Sequence, residues 1–368
     1  MYNNSKPNKI AMKMQVLAKR KSPIDFFKES VIDQHAINFW MQKFNPLWSL
    51  NQPLGKIVHK ENAAQDMVSL KIQVNRLFKF GEAGQHHPVY VVVNGIRYER
   101  SYSLTQLDQQ HVLLTIKKVE DGKVSHWAAN IAQVGDIIEF GLPFGDMTLA
   151  VEATPMLLLA AGSGITPMLS LLEALSKTGK LSQQPVQLLY WVKHYQDVAF
   201  KSRFEEFAAQ YPNFSFKVFA TQEQPDAERL NQSHLADLQN IDQTTVYACG
   251  PSGFVAQAEI LFAHAKVFKS EAFSMSLDDN TETGFVNVTL TQSNKVVSIP
   301  KGQSILASLE QQNIKPNHGC RMGICNKCAC NKVEGSTKNL VNGAQNKEPG
   351  NLLKICVNSA QTDLVIDL

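Results

Sequence analysis

The densest chemistry in this chain is a run of thiols, Cys320-Arg-Met-Gly-Ile-Cys325-Asn-Lys-Cys328, with Cys356 further on. The spacing C-x4-C-x2-C plus one distant cysteine is that of a plant-type [2Fe–2S] site. Four thiolates must reach two irons from a loop tight enough for backbone N–H groups to point at sulfur. Gly323 suits such a loop, because it tolerates positive φ and close backbone approach. A structural zinc site is the alternative, but it usually needs two short Cys/His pairs, and here there is one C-x2-C pair. Cys330 has no ligand role in this pattern and reads as a small buried side chain.

Other residues combine in ways that suit phosphate and flat rings. Ala161-Gly162-Ser163-Gly164-Ile165-Thr166-Pro167 follows an apolar strand and opens a helix, where glycines let the backbone approach a pyrophosphate. It departs from G-x-G-x-x-G, since Pro167 stands where the third glycine would be. Arg100-Ser101-Tyr102-Ser103 offers a cation for phosphate, an aromatic for a ring and hydroxyls that donate or accept. Gly122-Lys123-Val124-Ser125 is a turn of the kind that cradles anions. Cys249-Gly250-Pro251 ends another strand. No Ser/His/Asp set or carboxylate pair for substrate chemistry stands out.

These residues need elements to hold them. The 368-residue composition, 44% apolar and 19% charged with net charge +3, is globular and gives no argument for nucleic-acid binding. No apolar run of about 18 residues occurs, so no membrane span is expected. No export signal is visible and the cysteines do not read as a disulfide framework, so the expected location is cytoplasmic.

Residues 1–50 are expected to form an N-terminal helical extension starting near Ser22-Pro23. Basic Lys6, Lys9, Lys13, Lys19, Arg20, Lys21 and Lys28 precede or share it with Asp25 and Glu29. The simpler expectation is a helix packed on the body; the functional one is peripheral membrane association or partner docking. Residues 51–153 alternate as short strands (67–74, 89–93, 97–103, 112–119, 136–140), predicting an antiparallel barrel. Residues 154–272 alternate strands (155–160, 186–192, 214–220, 245–249) with helices (166–177, 198–210, 231–238, 254–265), predicting a doubly wound parallel sheet. Residues 273–283 read as a linker. Residues 284–368 begin with a hairpin and a short helix near 304–312.

With these motifs in this order, the chain resembles ferredoxin–NADP reductase-type flavoproteins that carry a C-terminal plant-type [2Fe–2S] ferredoxin domain. The resemblance implies a Greek-key β-barrel for flavin, an α/β nicotinamide domain and an α+β β-grasp ferredoxin domain. It implies FAD held by Arg100, Ser101, Tyr102 and Ser103, with Ser103 near the redox nitrogen, and by the loop Lys123, Val124, Ser125. The pairing of that loop with Gly141-Leu-Pro-Phe-Gly145 favours FAD over FMN. It implies the nicotinamide coenzyme on Gly162, Gly164, Thr166, Pro167, Gly250 and Pro251, with Cys249 beside the nicotinamide. Cys320, Cys325, Cys328 and Cys356 are the implied cluster ligands. Lys193 and Arg203, after the second strand, favour NADPH over NADH, with NADH also admissible; Asp197 reads as a helix cap.

The expected activity is electron transfer from NADPH through FAD and the cluster to an acceptor protein. A flavin/iron–sulfur carrier or sensor that does not turn over NADPH is the alternative. Cys320–Glu334 is similar to phenylacetyl-CoA epoxidase reductases, and Phe44-Asn-Pro-Leu-Trp48-Ser to electron-transfer partners of membrane stearoyl-CoA desaturases. A membrane fatty-acyl desaturase or hydroxylase is therefore the expected acceptor, with a soluble ring or acyl-CoA oxygenase second. Residues 284–368 carry nine basic and five acidic side chains. Arg321 and Lys327, inside the ligand loop, are expected to face that acceptor.

Overall fold

A computed structural model describes residues 34–368 except 121, 224–228, 236–237, 239, 275–283 and 342. It divides into two units, 1–50 and 51–368. In the first, α1 (Gln34–Phe44) ends at the turn Asn45-Pro46, whose Asn45 Oδ1 accepts from the Leu47 N–H at 3.0 Å. The helix start expected at Ser22-Pro23 lies outside the described residues. Phe39, Trp40 and Phe44 of α1 have exposed side chains, and Asn38 is buried.

The second unit begins with a closed six-stranded antiparallel barrel: β1 (Leu54–Ala64), β2 (Met67–Val74), β3 (His86–Val93), β4 (Ile96–Gln106), β5 (His111–Lys117) and β6 (Ile137–Phe140). The strand order is β1-β2-β5-β4-β3-β6. Val68, Leu70, Ile72 and Val74 alternate into its core, as the period of two requires. Between β5 and β6, α2 (Lys123–His126) runs into a π turn, Trp127–Ile131.

The parallel sheet contains β7 (Met156–Ala161), β8 (Val186–Val192), β9 (Phe214–Ala220), β10 (Thr245–Pro251) and β11 (Val267–Ser274), in the order β11-β10-β7-β8-β9. Its central strands are buried on both faces, which is why they read as unbroken apolar runs. Helices α3 (Ile165–Lys177), α4 (Lys201–Gln210) and α5 (Ser252–Leu261) cover it. The helix expected at 231–238 begins as a single 3-10 turn, Gln232–Leu235. Ser170 on α3 ties this sheet to the barrel: its Oγ donates to Leu104 O at 3.0 Å and accepts from Gly84 N–H at 3.2 Å.

The C-terminal part holds β12 (Phe285–Leu290), β13 (Lys295–Pro300), α6 (Ile305–Gln311), β14 (Ala329–Glu334), β15 (Thr337–Asn339), β16 (Gln345–Asn346), β17 (Asn351–Lys354), β18 (Asn358–Ala360) and β19 (Leu364–Ile366). A five-stranded sheet, β13-β12-β19-β14-β17, packs on α6, and β16-β15-β18 form a second sheet. Ser304 caps α6, its Oγ accepting from the Ala307 N–H at 3.3 Å. The multidomain fold class expected from the sequence is the one observed: barrel, parallel sheet and β-grasp domain.

Candidate functional site

Two clefts meet between these domains. One, of about 530 Å³, is walled by Arg100, Ser101, Tyr102 and Ser103 of β4, by Gly122, Val124 and Ser125, and by Gly162, Ser163 and Thr166. The other, of about 640 Å³, lies over the carboxyl ends of the parallel strands, where such sheets bind ligands. Lys117, Ala161, Gly162 and Pro251 line both, so one opens into the other. A third hollow of about 250 Å³ at the opposite end of the sheet is lined by no ionisable side chain.

The first cleft has the groups a flavin nucleotide needs. Among the described residues no carboxylate lies within ion-pair distance of Arg100, whose Nη1 donates only to its neighbour's carbonyl, Glu99 O, at 2.7 Å. Burial, with Arg321 nearby, pushes its pKa down, so an anion beside it would relieve an unpaired charge. Ser101 Oγ is buried without a partner, an acceptor or donor left for a ligand. Burial raises the Tyr102 phenol, which stays neutral. Ser125 braces its own turn, donating to Gly122 O at 3.1 Å and accepting from Val119 N–H at 3.2 Å. Lys123 is not part of the cleft wall.

Behind Ser103 lies a buried group that the sequence did not announce. Ser103 Oγ is 3.2 Å from His86 Nε2, and Glu271 Oε2 is also 3.2 Å from that nitrogen but not aligned for a hydrogen bond. Burial, aided by His87, lowers the His86 pKa to about 4. Burial, aided by Asp146, raises Glu271 to about 8. Burial thus favours the uncharged form of each, a protonated carboxyl beside a neutral imidazole. Phe273, on the same strand as Glu271, lines the cleft and meets His86 edge-on at 5.6 Å.

The glycine loop is shaped by its neighbours. Gly162 has φ +55°, and a Cβ on Gly164 would sit 2.0 Å from Cys249 O, so only glycine lets β7 and β10 end side by side. Thr166 Oγ1 donates to Ser163 O at 3.1 Å, and Pro167 occupies the first turn of α3, where no N–H is lost. Cys249 is fully buried between Ala160 and Glu271, and burial, then the Glu271 charge, raises its thiol pKa. It stands behind the rim formed by Pro251 and is not itself in either cleft wall.

In the second cleft Lys193 is present as expected, with Thr221, Gln222 and Arg229. Arg203 is not. Its Nε and Nη2 donate to Glu173 at 2.7 and 3.1 Å and its Nη1 to Glu206 at 2.8 Å, while it stacks on Phe207. Arg203 is thus consumed in fastening α4 to α3. Arg229 is the second arginine in this part of the chain, and it carries no motif; only the cleft reveals it. Asp197 caps the short turn Tyr195–Asp197, its carboxylate accepting from the His194 N–H at 3.1 Å.

The four expected cluster ligands come together two by two. Cys328 and Cys356 Sγ are 3.0 Å apart. Cys325 Sγ accepts from the Cys320 N–H at 3.2 Å, and Cys320 Sγ accepts from the Cys325 and Met322 N–H groups at 3.3 and 3.4 Å. Among the described residues no three metal-ligating side chains converge on one point. Two thiol pairs suit a two-iron cluster better than a single tetrahedral zinc, and backbone N–H groups aimed at sulfur favour thiolates. Gly323 has φ +74°, and a Cβ there would press within 2.8 Å of Val357.

Cys320, Arg321 and Met322 of this loop also form part of the flavin-sized cleft wall. The two cations expected to face an outside acceptor are used internally instead. Arg321 is held by Glu310 at 2.8 and 2.5 Å, and Lys327 Nζ by Glu99 of β4 at 2.7 and 2.8 Å and by Tyr90 OH at 3.2 Å. Each found a carboxylate within the same chain.

Comparison with known proteins agrees with this geometry. Family models match an oxidoreductase FAD-binding domain over residues 55–149, an oxidoreductase NAD-binding domain over 158–259 and a 2Fe-2S iron-sulfur cluster binding domain over 288–359. An NADPH oxidoreductase of Mycobacterium tuberculosis is 31% identical over 337 residues, 88% of this chain and 86% of that protein. Phthalate dioxygenase reductase of Burkholderia cepacia is 27% identical over 327 residues, 85% of this chain and 96% of that protein. A solved structure of phthalate dioxygenase reductase, 25% identical, superposes with TM-score 0.62 over 86% of this chain and 97% of its own. The chain belongs to the ferredoxin–NADP reductase-type oxidoreductases that join FAD-, NAD- and C-terminal [2Fe–2S]-binding domains in one polypeptide.

Proposed function

We propose that this FAD- and iron–sulfur-dependent NAD(P)H oxidoreductase uses NADPH and supplies electrons to a membrane fatty-acyl desaturase, with a soluble oxygenase as the second reading of the acceptor. The observation that carries the electron route is the shared wall: the Cys320–Met322 loop closes the same cleft that Arg100–Ser103 form, and that cleft opens onto the glycine loop. Flavin held by Arg100–Ser103 would supply the chemistry of taking two electrons as hydride and releasing them one at a time toward a cluster held by Cys320, Cys325, Cys328 and Cys356.

This chain's own residues do the rest. Arg100, Ser101, Tyr102 and Ser103 hold and orient the flavin, with Gly122, Val124 and Ser125 at its pyrophosphate. Ser103 Oγ and His86 Nε2 form a short route along which a proton can pass, with Glu271 as its buried reserve. Gly162, Gly164, Thr166, Pro167, Gly250 and Pro251 seat the coenzyme, with Cys249 beneath the nicotinamide end. Lys193 and Arg229, with no acid of their own in the cleft beyond Asp197 and Asp66, favour a 2′-phosphate. Cys320, Cys325, Cys328 and Cys356 hold the cluster. The six cysteines are free, which suits a reducing cytoplasm.

The desaturase reading rests on the likeness of Phe44-Asn-Pro-Leu-Trp48-Ser to electron-transfer partners of membrane stearoyl-CoA desaturases. Anaerobic titration of the purified protein with NADPH, then NADH, tests the electron route. Flavin and cluster absorbance should bleach together, with NADPH at the lower concentration; flavin that neither coenzyme reduces would overturn it. Turnover with desaturase-containing membranes, against a soluble oxygenase, decides the acceptor.

A further inference from the structure

The flavin-sized cleft is walled by one more domain than the flavin-binding motifs account for. Three cations line it, Arg100 of β4, Lys117 of β5 and Arg321 of the thiol loop, and among the described residues no carboxylate does. Arg100 and Lys117 belong to the barrel, whereas Arg321 belongs to the ferredoxin domain and directly follows Cys320. Burial first, and then the charge of Arg321, lowers the Arg100 pKa, so the two guanidinium groups lie within electrostatic reach of each other. Two like charges on one buried wall are stabilised by an anion that both can bind.

Arg321 is held in place for that role. Its Nη1 and Nη2 donate to Glu310 of α6 at 2.8 and 2.5 Å, and Nη2 also donates to His318 Nε2 at 2.9 Å. Glu310 and His318 are not in the cleft wall, so they grip the guanidinium without filling the cleft. The remaining donor, Nε, is buried and has no partner among the described residues. The Arg321 backbone is left-handed, at φ +61°, a conformation that costs a residue with a long side chain and is kept where the surroundings impose it. We infer that Arg321 is a flavin-binding residue supplied by the ferredoxin domain, its guanidinium and that of Arg100 meeting the phosphates of the flavin nucleotide from two domains. This rests on the Arg100–Ser103 flavin site proposed above. The flavin then also fastens the barrel to the ferredoxin domain, because whatever Arg321 adds to flavin affinity, bound flavin adds to docking.

The full chain, cluster loaded and stripped of flavin, is titrated with FAD and with riboflavin, which has the ring and ribityl chain but no phosphate. Binding is followed by the quenching of flavin fluorescence, and the cluster spectrum shows that each variant is folded. R321Q should weaken FAD at least about tenfold and leave riboflavin within about twofold. R321K, which keeps the charge but not the fork, should recover part of the FAD affinity. R100Q is the reference for the site itself. FAD affinity lost in R100Q but kept in R321Q overturns the inference and leaves the flavin site where it is; affinity kept in both overturns the site as well. Equal loss of FAD and riboflavin in R321Q also overturns the inference, since the side chain then shapes the cleft without meeting phosphate. If R321Q does not assemble a cluster, hydrogen exchange in the wild-type chain decides. FAD should slow exchange at residues 318–322 more than riboflavin does, and equal protection by the two overturns the inference.

Discussion

Reversing the charge of Glu99 with the substitution E99K should unfasten the ferredoxin domain from the barrel and slow electron arrival at the cluster. Lys327 Nζ reaches both Glu99 oxygens, at 2.7 and 2.8 Å, and Tyr90 OH at 3.2 Å. The Lys327 pKa is raised: burial opposes its charge, but the Glu99 and Tyr90 hydrogen bonds prevail. The lysine side chain is 38% exposed and the glutamate 16%, so solvent screens the pair in part. Losing such a pair costs about 1 kcal/mol, and setting a second ammonium against Lys327 adds about as much again. A change of about 2 kcal/mol lowers the docked-to-undocked ratio roughly 30-fold. Glu99 lies outside the ligand loop, so the substitution leaves the thiolates untouched. In anaerobic stopped-flow, flavin reduction by NADPH should keep its rate while cluster reduction slows by up to that factor. Wild-type cluster reduction should also slow between about 0.05 and 0.5 M salt. The swap E99K/K327E should recover part of the loss, not all, because Arg97 lies on the same face of β4, stacked on Tyr90 at 3.8 Å. Cluster reduction by E99K at the wild-type rate, at every salt concentration, would refute the reasoning.

Lys193→Glu should raise the KM for NADPH relative to NADH by about tenfold, through loss of a cation and gain of a like charge, whereas Arg203→Gln should leave that ratio unchanged; steady-state kinetics with both coenzymes checks this. Cys325→Ser should abolish cytochrome c reduction while flavin-dependent ferricyanide reduction survives, and equal loss of both would argue against a flavin-to-cluster sequence. Glu271→Gln should raise thermal stability increasingly from pH 5 to pH 8. The folded carboxyl, shifted up to about 8 by burial, keeps its proton where the unfolded one has lost it, so folding loses stability as pH rises above the unfolded value. The gain at pH 7 is on the order of 2–3 kcal/mol, a few degrees in Tm, and should vanish at pH 4.

Much of this protein is written locally. The spacing of Cys320, Cys325 and Cys328 sets how a loop can wrap two irons, and that is a property of a few consecutive residues. Leu70, Ile72 and Val74 alternate because a half-buried strand has a period of two, and Met156–Ala161 is unbroken because a central parallel strand is buried on both faces. Gly162-Ser-Gly164-Ile-Thr-Pro167 marks the strand–helix junction by backbone freedom and by a helix-starting proline. These signals survive without knowledge of the rest of the chain.

The long charged side chains and the unpatterned strands were settled by tertiary structure. Arg203 and Lys193 look alike in sequence, yet a guanidinium reaches several ångströms, and Glu173 on another helix claimed the first. Arg229 gained its place through a loop fold, not a motif. Lys327 and Arg321 became internal fasteners because Glu99 and Glu310, distant in sequence, arrive beside them. Glu271 lies on an edge strand that is mixed in character, and only the packing of β10 and the barrel against it buries the carboxyl beside His86. In α1 the apolar periodicity was legible, but the bonds by which Asn38 Oδ1 accepts from Ser49 Oγ and the Leu50 N–H join groups that no periodicity relates. Short-range conformational preference is carried by neighbouring residues; the pairing of charges and the burial of a face are decided by whichever distant group the fold brings within reach.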